Sequence, residues 1–539
     1  MHKVLFEIGL EEVPARFVDT CMAELKKALV KQLESHRLTE QDTTVHTYAT
    51  YRRFTLVIDN IKPAQDPINA ELQGPPLAIA KNDAGDWLPP AIGFAKKCGV
   101  DASDLFSVEN AKGQQVLAAK HNDPGQSALS LLPTIFTTIV TQMPLPIAMT
   151  WGKRIGPFIR PIQWICALYN DTVIPLELFY VPSGNSSYGH RFLSEPNPDS
   201  AQASLGAELT IKHPDNYIQT LQDAYVMVDT QQRKDHIHTQ LKADMPNQDV
   251  DAHLLNEVTQ LAEWPTVLPI EFPESFLELP TEVLTQCLRK HQKAFVKYAD
   301  GIPTNTCIVI ADSVTEKNKE TIIKGNEQVM LARLNDAQFF WNEDLKQQGF
   351  THWNAQLKNV VFQEGVGSMY EKVERIGHIA HTICDQLNIE KPVRDLIARS
   401  AYRCKADLVC NMVAELPSLQ GVMGCYYAIR FNEVPDVAMA IRDHYQPRSE
   451  GDRLPETIPA TILAIADRID TMVACFENNA IPTGSRDPWG IRRAMIAIVN
   501  MILHHNLSLN ITQLIEDATI TLGKDIGPNT QACLDFFNT

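Results

Sequence analysis

The sequence predicts a multidomain α+β fold, a mixed α/β N-terminal body followed by an all-α region, and three observations carry that reading. The chain has 539 residues, whereas a single hydrophobic core stops growing near about 250–300 residues, so roughly three or four domains are expected. Over the first half, short apolar runs rich in β-branched and aromatic residues alternate with segments of helical period. Beyond Trp353 apolar residues recur at steps of three or four almost throughout, the spacing that gathers one face of a helix.

Taken in order, KVLFEI at 3–8 reads as a strand. The stretch 15–33 reads as a helix, with Phe17, Val18, Met22, Leu25, Ala28 and Leu29 on its apolar stripe. TVHTYATYRRFTLVIDNI at 44–61 has the composition of a strand. Between 145 and 228 short runs such as FIRPIQWICALYN and TVIPLELFYV, broken by Pro and Gly, favour strands over long helices. The character turns charged and helix-forming near Gln231, and 266–272 is strand-like again. These changes place an N-terminal body at 1–230, a second α+β unit at 231–352 and a helical domain at 353–504. Within the last, 393–416 is expected to be one helix that buries Ile397, Ala401, Cys404, Leu408 and Met412. A neighbouring face would carry Asp407, Asn411 and Glu415, and Pro417, which lacks an N–H, would end the helix.

Composition excludes several classes. Hydrophobic residues at 44% and charged residues at 21% are the mix of an ordinary folded chain. No uncharged apolar run reaches about 18 residues, so no membrane-spanning helix is expected. The start MHKVLFEIGLEEVP lacks the features of a secretory signal, which points to the cytoplasm. Eleven cysteines form no CxxC pair and no Cys/His cluster at zinc spacing, so neither disulfides nor a structural metal is expected. There is no glycine-rich phosphate loop.

A net charge of −17 argues weakly against a nucleic-acid partner, since phosphate contacts need Lys and Arg. Two local clusters qualify that. Arg289, Lys290, Lys293 and Lys297 interleave with Phe295 and Tyr298, and Arg486, Arg492 and Arg493 surround the PTGSRDPWG turn. Guanidinium forks suit phosphates and aromatic rings stack on unpaired bases. A solvated face for the first cluster, and bonding to Asp487 or other carboxylates for the second, are the plainer readings. Arg52, Arg53 and Arg191 are expected to fix the interior of their own domain through charge-assisted hydrogen bonds.

The segment KADLVCNMVAELPSLQGVMGCYYA at 405–428 reads physically as helix, glycine turn and second helix. Gly421 and Gly424 allow close approach or positive φ, and Met423, Tyr426 and Tyr427 can pack. It also resembles a motif of the bacterial glycyl-tRNA synthetase beta subunit, approximately KxDLVTxMVxEFxELQGxMGxxYA, at Lys405, Asp407, Glu415, Gln420, Gly421 and Gly424 among others. Further segments follow in the family's order: EIGLEEVPARF, YRRFTL, MTWG, GHRF, EWP, GNEQVMLARLNDAQFFWNED, DHYQPRSEGDRLP, ADRIDT and PTGSRDPWGIRRA. The chain departs from the family at 290–295, where KHQKAF stands for Gly-Asp-Gln-Lys-Tyr-Phe, at Asn432 in place of a glycine, and at Trp489 in place of a phenylalanine.

The resemblance implies a tRNA-binding subunit without catalytic residues of its own. It would support ATP + glycine + tRNA(Gly) → glycyl-tRNA(Gly) + AMP + diphosphate on a separate alpha subunit, in an assembly of two alpha and two beta chains. The absence of the three class II synthetase motifs fits that division. No cofactor is expected on this chain, ATP and Mg being used by the alpha subunit. The helical region would be an HD-like domain, and 505–539 the start of a DALR-like anticodon-binding domain. A metal-dependent HD phosphohydrolase is the rival reading, with His378 or His381 and Asp467 or Asp470 as ligands. The sequence has no His-Asp dipeptide, and Lys405-Ala406-Asp407 stands in its place, where an ammonium would repel a metal. A third reading is an RNA-binding scaffold without ligase function.

Overall fold

The computed structural model describes residues 2–82, 85–110, 113–195, 203–347, 349–483 and 486–538. The chain divides into two compact units, Met1–Leu268 with Ile310–Ile322, and Pro269–Val309 with Ile323–Thr539. The division falls inside the segment 231–352.

The first unit is built on a seven-stranded sheet. Its order is Glu177–Leu178, Val181–Gly184, Ile162–Tyr169, Lys3–Leu10, Arg53–Asp59 and Thr44–Thr50, with Thr172–Val173 also paired to Ile162–Tyr169. The strand expected at 3–8 spans Lys3–Leu10 and the helix expected at 15–33 spans Ala15–Ser35. Side chains alternate across the central strand, as the strand period of two requires. Val4, Phe6 and Ile8 face the helices Ala15–Ser35 and Ala128–Thr141, with Phe6 stacked on Phe136 at 4.1 Å. Leu5 faces the opposite core with Val57, Cys166, Leu168 and Tyr217. Beside this body, the three-stranded sheet of Ile68–Pro76, Gln115–Asp123 and Phe106–Glu109 packs on the helix Pro89–Cys98.

The segment 44–61 is not one strand but a hairpin. Thr44–Thr50 and Arg53–Asp59 pair antiparallel, with Thr50 opposite Arg53. No Gly, Pro or Asn marks the turn, because buried charge holds it. Arg52 and Arg53 are both buried, and Glu263 takes both, Arg53 Nε at 3.1 Å and Arg52 Nη1 at 3.4 Å, together with the Thr50 hydroxyl at 2.7 Å. Burial pushes the Glu263 carboxyl up, but Arg53 and Arg52 prevail and hold it below its usual range. Glu7, on the same face as Leu5, accepts from Ser187 Oγ at 2.7 Å and from the Trp164 indole. Gly9 is required here: a Cβ would lie 1.9 Å from the Trp164 ring. Arg191 meets Glu12 at 3.1 Å and Glu11 at 3.5 Å. All three arginines are thus engaged within their own unit.

A three-stranded sheet, Thr266–Glu271, Ile302–Ala311 and Phe295–Ala299, most of whose residues belong to the second unit, precedes that unit's helical region. Its centre is the helix Ile458–Glu477, buried along most of its length. Met369–Gln386, Lys391–Arg403, Ile491–His504, Ile511–Thr521 and Pro528–Phe537 surround it and share one core. No helix among the described residues is long and apolar enough to cross a membrane. All eleven cysteines are buried, and none is in a disulfide.

The single helix expected at 393–416 is broken. Lys391–Arg403 ends, Ala406–Val409 forms one 3-10 turn, and Asn411–Glu415 restarts a short helix. Cys410 is extended, at φ −76° and ψ 153°. The cause is competition for the backbone: Asp344, itself buried, accepts from the amides of Asn411 at 2.9 Å and Met412 at 3.0 Å. Asp407, Asn411 and Glu415 therefore share no helical face.

Removing Glu263 would leave two buried guanidinium groups without a counter-charge. Glu263→Ala is expected to lower unfolding stability by ~3–5 kcal/mol, read as a lower urea midpoint; a loss under ~1 kcal/mol would contradict the buried-pair account.

Candidate functional site

The signature residues of 405–428 converge with two other helices of the second unit on one buried polar cluster. Lys405, nearly without solvent, donates to Asp467 Oδ2 at 2.7 Å and contacts His444 Nε2 at 2.9 Å. Its ammonium also sits 3.9 Å above the Tyr445 ring. Lys372 pairs with Asp467 and Asp470, each at 2.9 Å, and Arg375 bonds Asp470. Burial opposes ionisation of Asp467, yet Lys372 and Lys405 hold its carboxyl well below the usual range. Burial, reinforced by the Lys405 ammonium, pushes His444 well below its ordinary value, which keeps the ring neutral.

Asp407 closes the glycine turn. Its Oδ2 accepts from the amides of Gly421 at 2.6 Å and Gly424 at 3.0 Å. Gly421 has φ +79°, and a Cβ there would lie 2.4 Å from Tyr445; at Gly424 it would lie 2.6 Å from Ile441. Those two glycines are therefore imposed by a backbone conformation and by close packing. Gln420 is half-buried, and its carbonyl accepts from Arg448 at 3.2 Å. Tyr427 donates to Asp344 at 2.7 Å, and its ring packs among Trp341 and Trp353. Asn432 occupies the left-handed region at φ +61°, which asparagine tolerates better than most residues, so its replacement of a glycine is explained. Glu433 beside it meets Arg403 at 3.0 Å.

The same geometry places the metal-ligand candidates. Asp467 and Asp470 are taken by Lys372, Lys405 and Arg375. His378 and His381 are exposed, His381 against Asp385 at 3.6 Å. Among the described residues no group of three or more His, Cys, Asp or Glu could hold a metal ion.

The two basic clusters differ from each other. Arg289, Lys290 and Lys293 lie at the C-terminal end of the helix Thr281–Gln292, with Lys293 as its left-handed cap at φ +52°. Lys290 donates to the Glu415 carbonyl at 2.8 Å, and the Glu415 carboxylate lies 3.7 Å from it and 3.6 Å from His291. The signature acid Glu415 thus draws part of this cluster into a contact within its own unit. Arg486, Arg492 and Arg493 make no side-chain ion pair among the described residues, and Arg486 and Arg493 are exposed. Asp487 accepts instead from the backbone amides of Ile491 at 2.9 Å and Arg492 at 3.0 Å, so it caps the helix rather than neutralising the arginines. Gly484 and Ser485 of this turn lie outside the described residues.

Sequence reading missed Lys372, Arg375, His444 and Asp344 as partners of the signature. Only the presence of charge at otherwise apolar helix positions could have flagged them.

Burial pushes the Asp407 carboxyl up to about 6 against the ordinary 3.8. A raised folded value means that the anion opposes folding, fully above pH 6, and that the opposition vanishes as pH falls towards 3.8. Asp407→Asn keeps an acceptor for the two glycine amides and removes the charge. It is expected to unfold at higher denaturant than the parent at pH 8, with the advantage gone near pH 4. Asp407→Ala strands both amides and is expected to cost ~2–4 kcal/mol. A parent-to-Asn difference that is flat with pH would refute this.

Comparison with known proteins gives a consistent result. The model of the family described as glycyl-tRNA synthetase beta subunit matches residues 4–539. The glycine–tRNA ligase beta subunit of Shouchella clausii is 38% identical over 525 residues, covering 96% of this chain and 73% of the relative. That of Desulforamulus reducens is 38% identical over 518 residues, 95% of this chain and 72% of the relative. That of Moorella thermoacetica is 36% identical over 514 residues, covering 94% and 72%. With its signature side chains assembled as described and this agreement along nearly its whole length, the chain belongs to the glycyl-tRNA synthetase beta subunit family.

Proposed function

We propose that the chain is the tRNA-handling beta subunit of a heterotetrameric glycine–tRNA ligase, two alpha and two beta chains working in the cytoplasm. Family membership across residues 4–539 is the observation that carries this. The alpha subunit activates glycine with ATP and Mg, releases diphosphate, and transfers the glycyl group to the tRNA terminal hydroxyl with release of AMP. The present chain contributes no acid, base or nucleophile and holds no cofactor of its own. Its work is positioning, which removes most of the entropic cost of bringing that hydroxyl to the adenylate.

In this reading the helical region is an HD-like domain that serves as scaffold. The engagement of Asp467 and Asp470 by Lys372, Lys405 and Arg375 supports a scaffold over a hydrolase, since the ammonium groups already supply the charge that a metal would. The turn carrying Arg486, Arg492 and Arg493 is the better candidate for an RNA contact, because Lys290 is drawn to Glu415.

Reconstitution with the cognate alpha chain tests the proposal. Glycylation of tRNA is expected to depend on this subunit, and equal charging by the alpha chain alone would defeat it. Arg492→Glu is expected to weaken tRNA binding and to lower the slope of log affinity against log salt by about 1. An unchanged slope would remove Arg492 from the interface.

A further inference from the structure

We infer that the indole of Trp489 is a base-stacking element, which lies against an unpaired nucleotide of the bound RNA while Arg486, Arg492 and Arg493 hold the adjoining phosphates. This rests on the tRNA-handling reading above and names the chemistry of its contact.

Trp489 is 40% exposed, which alone is unremarkable. Its mounting is what matters. Phe362 meets it edge-on at 6.1 Å and 62°. Phe362 in turn lies over the Lys372 ammonium at 4.4 Å and the Arg375 guanidinium at 6.0 Å, cations fixed from below by Asp467 and Asp470. Phe362 therefore holds one side of the indole while part of the ring stays open to solvent. On either side of Trp489 the described backbone is held: Thr483 and Arg486 exchange backbone bonds, Asp487 caps Ile491 and Arg492, and Gly490 has φ +66°. A stacking platform needs this order, since a ring already held loses little rotamer freedom on binding.

Charge selects the partner. The chain carries −17 overall, and other arginines such as Arg52, Arg53, Arg375, Arg394, Arg403 and Arg442 are ion-paired. Arg486, Arg492 and Arg493 instead keep their guanidinium groups free of carboxylates among the described residues, at the same turn as the indole. The opposite side of the strand Val361–Gln363 is predominantly acidic: Val361 and Gln363 line an open cleft with Glu364, Glu371 and Glu374 against one cation, Lys358. A polyanion is thus directed to the face that carries Trp489. Paired bases in an A-form helix hide their faces in the stack, so an indole finds a partner only where bases are unpaired.

The test uses this chain assembled with its alpha subunit and labelled tRNA titrated at several salt concentrations. Trp489→Ala is expected to weaken binding on the order of tenfold with an unchanged salt slope, since no phosphate contact is lost. Trp489→Phe should retain most of the affinity. A short unpaired oligoribonucleotide should compete with tRNA on the parent and poorly on Trp489→Ala, while a blunt RNA duplex should not discriminate between them. Unchanged affinity of Trp489→Ala overturns the inference and leaves the subunit's role intact if charging still needs this chain. Loss of affinity equal in the Ala and Phe variants marks a packing defect and also overturns it. Dissociation of the alpha chain from Trp489→Ala, seen by size exclusion, would identify a protein contact instead.

Discussion

Lys405, almost out of contact with water, faces the largely buried Asp467 at 2.7 Å. An isolated charge there would be disfavoured, so the turn that carries Lys405 and the middle of the helix Ile458–Glu477 are tied to each other. Lys372 and Arg375 extend the constraint to Asp470, one turn further along Ile458–Glu477. The helices Met369–Gln386 and Ile458–Glu477 are thereby joined by charge in addition to apolar packing. His444, kept neutral by burial and by the Lys405 ammonium, can accept a hydrogen bond without adding a further charge.

The first unit meets the same constraint with different chemistry. A carboxylate with two arginines, Glu263 against Arg52 and Arg53, closes a hairpin that has no conventional turn residue. Guanidinium donors also reach backbone carbonyls, Arg52 to Leu205 and Arg53 to Tyr188, each at 2.9 Å. Arginine is suited to this because its planar fork satisfies a carboxylate and a carbonyl together.

What could be read from the sequence follows the range of the interaction responsible. The strand at the N-terminus and the helix Ala15–Ser35 obey local periodicities and were legible, as was the containment of Arg52, Arg53 and Arg191 within their unit. The hairpin at 44–61 was read as one strand because its turn depends on Glu263, 210 residues from Arg53. The helix at 393–416 was read as continuous because Asp344, 67 residues from Asn411, captures the amides that would have continued it. The motif at 405–428 was recognisable as a signature, but its physical meaning lay with His444 and Asp467, 39 and 62 residues away from Lys405. Periodicity reports neighbours within a few residues, and these contacts lie far outside that window.

The buried thiols have one more consequence. The thiolate is the reactive form of cysteine, and burial pushes Cys21, Cys287 and Cys425 up to about 11 and Cys307, Cys404 and Cys533 up to about 12. Buried and shifted in this way, those six thiols offer alkylating and oxidising reagents very little to attack. Each thiol reports the opening of its own surroundings, Cys21 in the sheet-based unit, Cys404 and Cys475 in the helical core. Rates of thiol modification thus become a site-by-site measure of local breathing in a protein that carries its own probes.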